Sequence, residues 1–186
     1  MSRLAAIVLA GGRSTRFGSD KLAVSLNGSP LVSHAIAAAR ALGAEVVVVG
    51  PPGPGLPDDV TVVREDPPYS GPYAAVAAGL GAVDPDASVV LVLAGDLVDP
   101  GALLPRLVAA VEAGAEAAVA LDSSGLRQPL LAAYRPVPLL GGIVGVDPAN
   151  RAASELLDGL HVVEVPDLDR HARDIDTVED LAAEIP

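Results

Sequence analysis

Apolar residues in this chain fall into short unbroken runs separated by longer Ala-rich stretches. Residues 4–10, 45–50, 60–64, 88–94 and 115–121 are runs rich in Val, Leu and Ala. They lack the polar alternation of a half-exposed strand, so they predict strands buried on both faces. Between them, residues 30–42, 71–83 and 100–114 carry turn residues at their ends and are each about the length of a three-turn helix. Ser29-Pro30 and Gly43 bound the first of these helices, and Asp99-Pro100 and Gly114 bound the third. Asn27-Gly28 predicts a tight turn before the first helix, and the Pro- and Gly-rich residues 51–57 predict a loop. Downstream the pattern predicts a strand over 126–134 broken by Pro136 and Pro138, a helix over 150–157 and a strand over 162–165. Alternating strands and helices imply an α/β fold with a doubly wound, mostly parallel sheet.

Composition narrows this picture. The chain has 186 residues, 51% hydrophobic and only 2% aromatic, which predicts one domain over residues 1–186 with an aliphatic core. A formal charge of −12 opposes nucleic acid and anionic membrane surfaces. A small anionic nucleotide remains compatible, because local cations neutralise phosphates whatever the global charge. With no cysteine, disulfides and thiolate metal sites are excluded. The apolar run after Met1-Ser2-Arg3 is too short for a signal sequence or a membrane span, which predicts a cytoplasmic protein.

The candidate chemistry starts where the first strand ends, at Leu9-Ala10-Gly11-Gly12-Arg13-Ser14-Thr15-Arg16-Phe17-Gly18-Ser19-Asp20-Lys21. Small residues let backbone N–H groups approach anionic oxygens. Arg13 and Arg16 add planar forks suited to phosphate, Lys21 adds a compact charge, and Ser14 and Thr15 add hydroxyl donors. The segment is neither a Walker A loop, since Leu22 follows Lys21, nor a Gly-x-Gly-x-x-Gly fingerprint. Its pattern, Leu-Ala-Gly-Gly-x-Ser-x-Arg-x-Gly-x-Asp-Lys, resembles the signature loop of the MobA-like nucleotidyltransferases. The Gly11-Gly12 pair is similar to that of the molybdenum cofactor guanylyltransferases, whereas related cytidylyltransferases carry Ala-Gly.

The resemblance implies a three-layer Rossmann-like fold of the nucleotide-diphospho-sugar transferase type. It also implies transfer of GMP from GTP to molybdopterin, with Mg²⁺ and release of pyrophosphate. Leu9, Ala10, Gly11, Gly12, Arg13, Ser14 and Lys21 would then bind the nucleotide, with Arg16 and Lys21 on the triphosphate. Transient contacts with cofactor-delivery proteins would follow from the same role.

Acidic positions extend the site. Asp96 follows the run 88–94 through Gly95, at the carboxyl end of a buried strand, where open α/β sheets bind ligands and a hard oxygen suits Mg²⁺. The stretch 94–99 resembles the family's metal-binding Asp motif, with Val98 in place of its usual Pro. Asp174 and Asp176 lie on one side of an extended segment, and the run 174–181 reads equally as a second metal ligand, through Asp176, or as the cap of a terminal helix. Guanylyltransferases of the family show Asn-x-Asn-Thr there. Asp66 and Gly71, in the run 64–72, resemble the family's Asp followed by Gly-Pro, and they read either as nucleotide contacts or as a solvated turn. Here Tyr73-Ala74-Ala75 replaces Leu-Ala-Gly, and Gly50 stands where many guanylyltransferases have Asn. Gln128-Pro129-Leu130 with Tyr134-Arg135 resembles the family's acceptor-side segment, although Tyr134 also reads as core. His34, His161 and His171 have no ligand spacing.

Three functions fit these residues: the guanylyltransferase, a cytidylyl or sugar-phosphate nucleotidyltransferase of the same fold, and a catalytically silent nucleotide-binding protein.

Overall fold

The computed structural model describes residues 2–11, 25–26, 28–53 and 55–167. Strand β1 (Leu4–Leu9) leads toward a short antiparallel pair, β2 (Ser25–Leu26) and β3 (Ser29–Pro30), followed by helix α1 (Leu31–Ala41). Then come β4 (Glu45–Val49), β5 (Thr61–Val63), α2 (Pro72–Leu80), β6 (Val89–Ala94) and α3 (Leu104–Glu112). The chain continues through β7 (Ala117–Leu121), β8 (Arg127–Tyr134), α4 (Pro136–Ile143), a 3₁₀ turn (Ala153–Leu157) and β9 (Val162–Pro166).

Seven strands form one sheet in the order β5-β4-β1-β6-β8-β7-β9. All run parallel except β8, which is antiparallel to both β6 and β7. The mostly parallel, doubly wound sheet expected from the sequence is present, with helices on both faces. Residues of α1 and α3, such as Ile36, Leu104 and Leu107, pack on one face against Ala6, Val8 and Leu91. On the other face Val76 of α2, Leu139 of α4 and Leu156 of the 3₁₀ turn pack against Ile7, Val92 and Tyr134. Strand side chains alternate between two dry layers, so the runs that looked uniformly apolar are buried twice over.

Three expectations need correction. Pro136 and Pro138 follow the end of β8 at Tyr134, as expected, but what comes next is a helix the sequence reading did not include: they open α4, where first-turn N–H groups have no intrahelical partner and proline costs nothing. The predicted helix over 150–157 is a 3₁₀ turn confined to Ala153–Leu157. Helix α3 begins at Leu104, so Asp99 lies before its first turn instead of capping it. The turn predicted at Asn27-Gly28 falls between β2 and β3, with Gly28 at a φ of 82°.

No helix of the described residues is long and apolar enough to cross a membrane.

Candidate active site

Successive strands are added to opposite sides of β1, as β4 and then β6, so a crevice opens above the carboxyl ends of β1 and β6. Two backbone hydrogen bonds define its floor. The Ala10 N–H donates to the Val49 carbonyl at 2.7 Å, and the Gly95 N–H donates to the Leu9 carbonyl at 3.0 Å. Leu9 and Ala10 are thereby tied to both neighbouring strands, and Gly11 is the first residue past the ladder. Asp96 follows Gly95 directly, at the strand end beside Leu9.

Gly50 explains how tightly this floor closes. A Cβ on it would sit 2.6 Å from the Ala10 carbonyl carbon and 2.7 Å from its oxygen, both backbone atoms that cannot swing aside. A side chain such as Asn is therefore incompatible with the backbone as it lies. The Gly50 N–H in turn donates to the Val63 carbonyl at 2.9 Å, stitching β5 to the same floor.

The loop from β5 to α2 forms one wall. Glu65 is buried, at 5% exposure, while its neighbour Asp66 is exposed. The Oε1 of Glu65 accepts the Tyr69 N–H at 2.8 Å, and its Oε2 is buried with no hydrogen-bond partner among the described residues. A Cβ on Gly11 would lie 3.7 and 3.9 Å from these two oxygens, so the carboxylate sits directly beside the glycine loop. Burying a carboxylate oxygen unpaired is costly, and such sites are kept where a ligand supplies the missing donor. The rest of the wall is braced by the Asn150 N–H donating to the Ser70 carbonyl at 2.7 Å, and by the Arg64 guanidinium 4.9 Å from the Tyr69 ring centroid. Gly71, with φ 97° and ψ 172°, precedes Pro72 at the start of α2, in a conformation essentially restricted to glycine.

The structure thus brings Leu9, Ala10, Gly11, Asp96 and Gly71 to one edge and adds Glu65, which sequence reasoning passed over for the adjacent Asp66. The available signal was position: Glu65 is two residues past the end of β5, in phase with the half-buried Val63, which packs on the sheet's core. Gly12, Arg13, Ser14, Arg16, Lys21, Asp174 and Asp176 lie outside the described residues. Among the described residues no three acidic or histidine side chains gather as a metal cluster.

Beyond Asp96 the edge continues with the turn between β7 and β8. Asp122 Oδ1 accepts the Ser124 N–H at 2.8 Å, the Ser124 hydroxyl at 2.6 Å and the Leu126 N–H at 3.0 Å. Its Oδ2 accepts Gln128 Nε2 at 2.8 Å. The Ser124 hydroxyl and the Leu126 amide, in that order, hold the Asp122 carboxyl below the usual carboxylate range. Register slips here: Val119 pairs with Ala132 but Ala120 pairs with Gln128, so Pro129 to Leu131 bulge from the β7 ladder. The buried Tyr134 hydroxyl donates to the Pro129 carbonyl at 3.0 Å and satisfies it.

A sequence model of the MobA-like NTP transferase domain matches residues 6–162. The chain belongs to that family. Among relatives of this MobA-like chain, a Chloroflexus aggregans protein named "Probable molybdenum cofactor guanylyltransferase" is 36% identical over 141 residues. That match covers 71% of this chain and 65% of the relative, just under two thirds of its length. The molybdenum cofactor guanylyltransferase of Rhizobium johnstonii is 33% identical over 163 residues, 84% of this chain and 76% of that one. The MobA-like fold is also that of the molybdopterin-guanine dinucleotide biosynthesis protein A of Archaeoglobus fulgidus. The two superpose with a TM-score of 0.70 at 21% identity over 97% of this chain and 96% of the other.

Proposed function

We propose that this chain is a guanylyltransferase that moves GMP from GTP to the phosphate of molybdopterin and releases pyrophosphate. The names of its relatives support the reaction, and one observation in the site supports the base: the buried, unpartnered Oε2 of Glu65 beside Gly11. A carboxylate offers only acceptors. Guanine alone among the four bases presents a ring N–H and an amino group side by side; cytosine and adenine place an amino group next to a ring acceptor, and uracil sets one N–H between carbonyls. A site built around such a group rejects bases that leave it unpaired.

In the reaction, a phosphate oxygen of molybdopterin bonds to the α-phosphorus of GTP as the bond to the pyrophosphate oxygen breaks. Such an in-line displacement needs positioning and charge neutralisation and no covalent nucleophile. Gly11 and Gly12 would hold phosphate oxygens through backbone N–H groups, Arg13, Ser14, Arg16 and Lys21 would hold the triphosphate, and Glu65 would orient the base. Asp66 and Gly71 would shape the wall around the base. Asp96, with Asp176, would hold Mg²⁺, a hard cation that takes one or two carboxylates together with phosphate oxygens. Bound there, it supplies charge neutralisation at the phosphates. The same reading makes residues 1–186 one cytoplasmic domain.

GTP with Mg²⁺ should raise the melting temperature, and CTP, ATP and UTP should not. Glu65→Gln should weaken GTP binding by about 10- to 100-fold, the range for a lost hydrogen bond to a charged group. A response to CTP equal to that for GTP, or an unaffected Glu65→Gln variant, would refute the guanine assignment.

A further inference from the structure

Residues 136–146, Pro-Val-Pro-Leu-Leu-Gly-Gly-Ile-Val-Gly-Val, carry no polar side chain, yet they are not core. Within α4 only Leu139 is buried. Val137, Leu140 and Val144 are 80%, 48% and 67% exposed, three of the six large apolar side chains left exposed among the described residues. The other three lie elsewhere, Val62 on β5, Tyr69 in the loop before α2 and Leu126 in the β7–β8 turn. At spacings of three, four and seven residues, Val137, Leu140, Gly141 and Val144 share one face of the helix, opposite Leu139.

Contiguous exposed apolar surface marks a contact with another molecule, and the charge of the chain narrows what that molecule is. At −12 the chain is repelled by anionic membranes, and a basic partner would be drawn to its acidic surface instead of a face without a carboxylate. A second copy carries the same −12, so two copies meet most favourably where neither presents acidic side chains. This face meets that condition for both copies at once.

The face is also complementary to itself. In a two-fold pair, wherever residue i meets j, j meets i. Laid antiparallel about Gly141, Val137 of one copy falls opposite Gly145 of the other, and Leu140 falls opposite Gly142. A Cβ built on any of these three glycines meets nothing within 4 Å, so each leaves room for a facing side chain. A parallel pair would set valine on valine and leave that room empty. The Arg135 N–H donates to the Glu116 carbonyl at 2.8 Å, at the sheet edge away from the crevice. The last turn of α4 lies at the crevice end, where the Tyr73 hydroxyl donates to the Gly142 carbonyl at 3.0 Å. An antiparallel pair therefore points its two crevices in opposite directions and covers neither.

We infer that this face of α4 is a self-association surface, on which a second copy of the chain docks its own α4 antiparallel about Gly141. A helix of eight residues is about 12 Å long and cannot bury the roughly 800 Å² per partner of a standard stable interface. The dimer is therefore weak and forms as concentration rises.

Sedimentation velocity of the full chain, from micromolar to near-millimolar concentration, should show monomer passing into dimer. Val137→Glu buries a charge in the contact and should raise the dissociation constant by about 10-fold or more. Its melting temperature should stay near that of the wild type, because the side chain is exposed in the monomer. The chain has no cysteine, so single cysteines report the register without background. Under oxidation Gly141→Cys, on the two-fold, should cross-link two copies, whereas Val137→Cys, about 12 Å along the axis from its counterpart, should not. A chain that stays monomeric over the whole range overturns the inference, as does a dimer that Val137→Glu leaves intact. Cross-linking through Val137→Cys as readily as through Gly141→Cys overturns the antiparallel pairing.

Discussion

The Tyr134 hydroxyl is held above the ordinary phenol range by burial, and its one partner is the Pro129 carbonyl freed by the bulge. Removing it with Tyr134→Phe leaves that carbonyl unpaired, which should cost about 1–3 kcal/mol at neutral pH. The alkaline behaviour should change as well. An unfolded tyrosine ionises near 10.0 while the folded one stays protonated, so its contribution is complete below that pH and is lost as pH rises above it. Urea titrations between pH 8 and 11 should show a shallower alkaline loss in the phenylalanine variant; parallel curves would mean that Tyr134 does not set the slope. At this scale the sequence was informative about residue types and less so about environments. The glycine loop announced itself by composition, and Asp96 by following an apolar run. Glu65 and Asp66, one residue apart, differ in which way the β5 backbone turns them, and the phase with Val63 that singles out Glu65 can be read only once the end of β5 is known.

Helix α2 is seated by Gly79, where a Cβ would fall 2.5 Å from Ile7 Cγ2 and 2.9 Å from Val49 Cγ2. Helix propensity alone favours Ala over Gly by about 1 kcal/mol. Overpacking a filled core costs about 1–3 kcal/mol, so the net effect of Gly79→Ala should be destabilising. A lower urea midpoint with an unchanged slope would bear this out; a raised midpoint would show that the helix shifts outward freely. The elements themselves were readable where burial on two faces leaves long apolar runs. Strand β8 is apolar only in its second half, Leu130 to Tyr134, and nothing in its residues distinguishes the antiparallel direction. Helix α4 was hidden by prolines that are harmless in a first turn, and by its surface: only Leu139 is buried, while Val137 is 80% exposed.

Across the whole molecule, β1 and β6 are covered on both faces and both edges, whereas β5 is a three-residue edge strand with Val62 at 36% exposure. Amide hydrogen exchange should therefore be slowest at Ala5–Val8 and Val89–Leu93 and fastest within the sheet at Thr61–Val63. Equal protection at β5 and β1 would contradict a cooperative unit centred on the crevice floor. The alternation of strands and helices made the layers legible from the sequence. The strand order was not, because it depends on which side of β1 each crossover lands.

The reversed strand has one further consequence. At the ends of β1, β5 and β6, residues leave a strand into a crossover that returns to the sheet through a helix, so their spacing is fixed by the fold. At β8 the edge carries residues that enter a strand from a short hairpin, Asp122 to Leu126, whose lengthening costs little in closure entropy. Insertions in that hairpin can reshape the far half of the crevice while the floor formed by β4, β1 and β6 stays intact. It makes the β7–β8 turn the natural graft point for remodelling this scaffold.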